Sequence, residues 1–401
     1  MLDILPIVKS LWRNKTGPLL IILQLSLTVA VVSNALHVVN ERLDKIARPS
    51  GIAEKEIFKI WVRRNSSDVD IQAVAERDMD IIRATPGVID ATPISSIPMS
   101  GSGSSSALRK SREDKIADFP SAIFEVTHHG LAALGLNLIE GRNFNEGEIN
   151  FFTRDNPPDH SVAIITKHIA EQMFPDESAV GKTVYMGPLP LTIVGVVERL
   201  MGPWPSSDTA NNVTLLPVIV KEDSINYLVR ARQEERDSIM HALVEKLASI
   251  DNTRQPVDEK SWEDIKRDVY TSDYAMIKIL AVVIFMLTFV NALGIFGLTT
   301  FWVNQRRKQI GIRRALGSTK AGVMRYFMLE NVVLVLIAAI VGTTIAYVDS
   351  SYMARTQGTA LLPFQYVPIS VLFLLFITLL AAFSPIWKAM RISPVEAVAN
   401  N

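Results

Sequence analysis

The sequence predicts an α-helical membrane protein with four transmembrane helices and a large α+β extracytoplasmic domain between spans 1 and 2. Three observations lead there: four long apolar runs, a polar excursion between the first two, and charge segregated along the chain. Of 401 residues, 48% are hydrophobic and 20% charged, and mean hydropathy is +0.22. That is too apolar for a wholly soluble chain and too charged for a wholly embedded one. No cysteine occurs, which excludes disulfides, thiolate zinc sites and cysteine nucleophiles.

Crossing the hydrocarbon core takes about 20 mostly apolar residues. Four stretches qualify, at 17–39, 275–303, 323–348 and 366–387. The first is too long for a signal-peptide core and no small-x-small cleavage site follows it, so it reads as a retained anchor. Ahead of it, residues 1–16 set Leu2, Leu5, Val8, Leu11 and Trp12 beside Lys9 and Arg13. That spacing suits an amphipathic helix on the inner membrane surface, with a disordered tail as the alternative.

Charge fixes the expected orientation. Residues 40–274 carry 27 Lys and Arg against 37 Asp and Glu, leaving 14 against 4 in the remainder. The segment 304–325 has seven basic residues (Arg306, Arg307, Lys308, Arg313, Arg314, Lys320, Arg325) and no acid. Lys and Arg mark cytoplasmic loops. The connector 304–322, the N-terminus and the tail 388–401 therefore belong in the cytoplasm, while residues 40–274 and the short loop 349–365 belong outside.

Within 40–274 the pattern alternates between strands and helices. A strand at 56–62, a helix within 69–88 presenting Ile71, Val74, Met79, Ile81 and Ile82, and renewed extended character after Gly87 make one β-α-β unit. A second begins at 224–231 and continues into a helix at 234–250. Short β-branched runs between them predict a small sheet-rich insertion. The stretches 99–110 and 201–212 read as exposed loops that either contact a partner or join strands. Polar runs after span 1 and before span 2 predict that both spans continue as helices beyond the bilayer.

"DESAVGKT" (176–183) ends like a phosphate-binding loop, yet Asp176 stands where the first glycine is required, so the stretch reads as a turn between a helix and a strand. His128 and His129 lack the spaced partners of a metal site and read as surface or capping residues. No catalytic residue, metal site or cofactor is expected in this chain, and its acidic outer region argues against nucleic acid. Inside the spans, Asn291, Glu330 and Asn331 stand out. An embedded ionisable group is a functional candidate, and pairing of Glu330 with Arg325 or Arg314 is the competing reading.

The connector carries more than charge. "QIGIRRALG" offers Ile310, Ile312, Ala315 and Leu316 as an apolar knob, with Gly311 and Gly317 as bends and Ser318 as the cap of the next helix. Exposed apolar side chains on such an elbow require a partner surface.

This segment closely resembles the FtsX-like permease signature. The ending "PIWKAMRISPVEAVAN" is similar to that family's C-terminus, and the stretch from "LGLNLIEGRNFNEGE" to "LTIVGVVE" resembles the MacB-type periplasmic core domain. The resemblance implies a permease in the bacterial inner membrane, dimeric with a second copy or a paralogue. MacB itself carries an ATPase domain ahead of its first span, whereas this chain begins almost at that span. ATP and magnesium are therefore expected in a separate ABC ATPase subunit that couples through residues 306–308 and 310–318. The expected role is mechanotransmission: ATPase closure moves the outer domain, and a periplasmic membrane fusion protein and an outer-membrane channel complete an exporter of an antibiotic, peptide or other natural product. Lipoprotein release, or an FtsX-like signalling scaffold that activates a periplasmic hydrolase, are the alternatives. Membrane lipid surrounds the spans in every case.

Overall fold

The structure, a computed structural model, describes residues 16–64, 71–113, 119–152, 161–220, 224–250 and 254–391. The surface helix expected ahead of span 1 and the C-terminal motif beyond Arg391 lie outside them. The chain divides into two compact units, one of membrane-length helices and one spanning Lys45–Ser272.

Among the described residues, four helices are long and apolar enough to cross a membrane: α1 (Thr16–Ile46), α7 (Thr271–Gln305), α9 (Lys320–Gln357) and α10 (Tyr366–Met390). Each outlasts its apolar run, as expected for α1. The run before span 2 is divided: α6 (Trp262–Val269) stops at Tyr270, and α7 starts at Thr271. Tyr270 is fully buried, and its hydroxyl donates to the Lys45 carbonyl at 3.2 Å.

α1 touches each of the other three long helices. Its Ser33 hydroxyl shares a 2.6 Å hydrogen bond with Ser370 of α10. Gly342 of α9 comes so close to α1 that a Cβ there would sit 2.5 Å from the Ser26 carbonyl oxygen. Small residues permit such approach where lipid gives no hydrophobic drive for association.

The other unit holds two sheets. β1 (Ile57–Arg64), α2 (Ile71–Arg83) and β2 (Val88–Ile94) form one β-α-β unit; β11 (Ser224–Ala231), α5 (Arg236–Ile250) and β12 (Arg254–Ser261) form the second. The four strands pair antiparallel in the order β12-β1-β11-β2, so each unit's strands are separated by one from the other, a ferredoxin-like split. Ala75, Met79 and Ile82 of α2 and Leu243 of α5 are buried in this core. Inside it, the Tyr227 hydroxyl donates to Asp78 at 2.7 Å.

The insertion between β2 and β11 is larger than its short runs predict. It comprises β3 (Ser104–Arg109), β4 (Phe119–Val126), β5 (Leu138–Gly141), β6 (Asn150–Phe152), β7 (Ser161–Thr166), β8 (Thr183–Met186), β9 (Leu189–Val197) and β10 (Val213–Val220), with α3 (Gly130–Leu134) and α4 (Lys167–Met173). The pairings β4-β3-β8-β9-β7-β10 return to β4, because β10 also pairs with β4 in parallel register from Val213↔Ala122. The six strands thus close a ring, which removes free edges.

Both stretches read as exposed loops are corrected in part: residues 101–105 are exposed and 201–212 forms neither helix nor strand. Residues 104–109 form β3, with Leu108 fully buried. In 201–212, Met201, Pro203, Pro205, Ala210 and Asn212 are buried. The two bond to each other: Met99 N donates to Gly202 O at 3.0 Å and Gly101 N to Pro203 O at 2.8 Å.

Candidate functional site

Helical hydrogen bonding carries α7 into the elbow. Arg306, the single turn residue between α7 and α8 (Arg307–Ala315), donates its N–H to Trp302 O at 3.0 Å and accepts from Ile310 N at 2.9 Å. Two sequence expectations are corrected here. Gly311 lies inside α8 and makes no bend, since glycine only lowers helix propensity where neighbouring hydrogen bonds persist. The reversal comes at Gly317, whose φ of +95° suits a residue without Cβ. The cap of α9 is Thr319, not Ser318; its Oγ1 accepts from Gly322 N at 3.1 Å.

The expected apolar knob is also divided. Ile310 packs into the helical core with Val323, Phe327, Trp302 and Ile386. Leu316 is 82% exposed and Ile312 45% exposed, so these two present apolar surface outward. Arg307, Lys308, Ala315, Gly317 and Ser318 are exposed around them. Arg313 and Arg314 lie on α8, but their side chains fall outside the described residues.

Glu330 is fully buried, and its partner is Arg306 rather than the expected Arg325; the Arg314 side chain, the other one expected, lies outside the described residues. The guanidinium donates to both carboxylate oxygens, at 3.1 and 3.2 Å, and lies 5.9 Å from the Trp302 ring. Asn331 donates to Phe327 O at 2.9 Å, within its own helix. Asn291 of α7 donates to Thr28 Oγ1 of α1 at 2.6 Å. A third polar link was not expected from sequence: Arg42 of α1 pairs with Asp273 at the start of α7. From Asp273 to Arg306, α7 rises about 50 Å, against a hydrocarbon core of about 30 Å, with Asn291 near its middle.

The stretch resembling a phosphate loop is a committed turn. Gly181 N donates to Ile193 O at 2.7 Å and Lys182 Nζ to Glu177 at 2.6 Å. His129 Nδ1 lies 2.9 Å from Asp90. Burial and the neighbouring His129 hold the His128 pKa below its usual value. Among the described residues no His, Cys, Asp or Glu group is arranged to hold a metal.

The family profile described as MacB-like periplasmic core domain matches residues 19–259, and that of the FtsX-like permease C-terminal matches residues 281–394. The chain belongs to the MacB-like ABC transporter permease family. It is 22% identical over 403 residues to the macrolide export ATP-binding/permease protein MacB of Pasteurella multocida, covering 97% of this chain and 59% of that protein. It is 26% identical over 271 residues to the uncharacterized ABC transporter permease YknZ of Bacillus subtilis, covering 66% of each. The chain spans 41% to 60% of the length of the MacB relatives it matches. The solved periplasmic region of MacB from Actinobacillus actinomycetemcomitans is also similar, at 16% identity and a TM-score of 0.35, over 56% of this chain and 97% of that one. In this MacB-like permease the profile boundary between 259 and 281 falls where α6 gives way to α7.

Proposed function

We propose that this MacB-like permease couples ATP hydrolysis by a separate ABC ATPase subunit to movement of its outer domain. It sits in the inner membrane as a dimer, with a second copy or a paralogue, and with both termini cytoplasmic. The observation that carries this reading is the elbow: Leu316 and Ile312 stand exposed on a basic connector, while Ile310 on the same helix is anchored in the helical core. A partner that covers the two apolar tips would push on α8, and α8 is hydrogen-bonded straight into α7. The cargo route is tripartite export of an antibiotic, peptide or other natural product, with a periplasmic fusion protein and an outer-membrane channel. The naming of its MacB relatives as macrolide exporters supports this.

The test is affinity purification of the full chain from its own membranes. Wild type is expected to bring down an ATPase subunit, a fusion protein and an outer-membrane channel, and Leu316→Asp is expected to lose the ATPase. Retention of the ATPase by Leu316→Asp and Ile312→Asp would remove the elbow from the docking surface. Recovery of a lipoprotein carrier or a wall hydrolase instead would redirect the function.

A further inference from the structure

Between α9 and α10 runs a groove of about 450 Å³, lined by Met324, Arg325, Met328, Leu329, Leu380 and Phe383 among others. Its walls are apolar except at one end. From Met324 to Val332 it follows α9 for about 12 Å, most of one leaflet's hydrocarbon half-thickness of about 15 Å.

The polar end is cationic. Arg325 is exposed and has no acidic partner among the described residues. On the α10 side, Phe383 continues outward as a ladder: its ring lies 5.6 Å from Trp387, and the Arg391 guanidinium lies 5.3 Å from the Trp387 ring. An exposed tryptophan beside the Arg391 guanidinium, with Arg325 on the groove wall, is the composition of a headgroup-level anchor.

We propose that this groove is a binding site for an anionic phospholipid, its acyl chain lying along Met328 and Leu329 and its phosphate held between Arg325 and Arg391. Guanidinium groups suit phosphate because they present paired donors. A zwitterionic lipid would fill the apolar part equally but lacks the net charge to reward both arginines.

The full chain in detergent is incubated with equal amounts of phosphatidylglycerol and phosphatidylcholine of the same acyl chains, and retained lipid is counted by native mass spectrometry. One phosphatidylglycerol per chain is expected, preferred about 25-fold, on roughly fivefold per basic residue near an anionic headgroup. Arg325→Gln and Arg391→Gln should each lower that preference about fivefold, and Arg355→Gln, at the far end of α9, should leave it unchanged. Leu329→Trp should reduce retention of both lipids. Equal retention of the two lipids by wild type, or a preference untouched by both arginine variants, would overturn the proposal. So would a detergent-stable dimer that retains no lipid and is lost in Leu329→Trp, because a second copy would then occupy the groove.

Discussion

α1 and α7 are neighbouring helices of similar length, yet they are held by different physics. Of the most apolar window of α1, 50% is buried among the other helices, against 11% for α7. α1 packs closely through small residues and Ser33, whereas α7 turns Phe285, Phe289 and Leu293 outward. What α7 has instead is a polar link at each end and one near its middle. A helix secured at points rather than along a surface can shift as a rod when one link is strained.

Breaking those links should expose the contrast. Truncating one partner of a buried ion pair strands the other charge, so Glu330→Ala or Arg306→Ala is expected to cost about 3–5 kcal/mol in thermal unfolding of the full chain. The exchanged pair Arg306→Glu with Glu330→Arg should recover part of it. Next in size, Gly342→Ala drives a methyl into the Ser26 backbone and should cost about 1–3 kcal/mol. Gly297→Ala on α7, with nothing within 4 Å of its Cβ, should be neutral or gain up to about 1 kcal/mol in helix propensity. A marked loss at Gly297 would instead place another chain against α7. Smaller again, Asn291→Leu removes the bond to Thr28 and should cost about 0.6 kcal/mol, the average for such bonds between membrane helices.

The outer unit offers a pH contrast with the spans. The Glu148 carboxylate is held below its usual pKa by hydrogen bonding to Arg142. At Glu54, burial opposes ionisation, but the Ser50 hydroxyl and Lys266 outweigh it and the pKa is again lowered. A lowered folded-state pKa gives stability above the unfolded value, about 4.3 for Glu, and loses it as pH falls further. His128, also lowered, adds a loss that begins below about 6.5. Unfolding monitored between pH 7 and 3 should therefore show stability declining towards acid, in two steps. His128→Gln should flatten the upper one.

The four spans, the first β-α-β unit and the opening strand and helix of the second were legible because uninterrupted apolar runs and period-3.6 faces are local signals. The strand β12 was not: its "RQPVDEKS" is polar and contains Pro256, which an edge strand tolerates and a hydrophobic pattern cannot reveal. β3 was hidden by serines, and the ring was hidden because β4 and β10 meet only in space. At the elbow, sequence proximity favoured Arg325 or Arg314 as the partner of Glu330. The chain reversal at Gly317 instead brings back Arg306, which precedes Glu330 by 24 positions. Gly317 bends as expected, while the cap assignment erred by one residue and Gly311 makes no bend, since Gly311, Gly317, Ser318 and Thr319 are all competent turn formers and only backbone geometry separates them.

The absence of native cysteine allows spin labels at chosen positions, here the exposed Met276 on α7 and Val348 on α9. Their separation is to be measured in the assembled transporter without nucleotide and with ATP trapped by vanadate. Two distinct distance distributions are expected in wild type, and a single unchanged one in Leu316→Asp. One unchanged distribution in wild type, with ATP turnover intact, would contradict it.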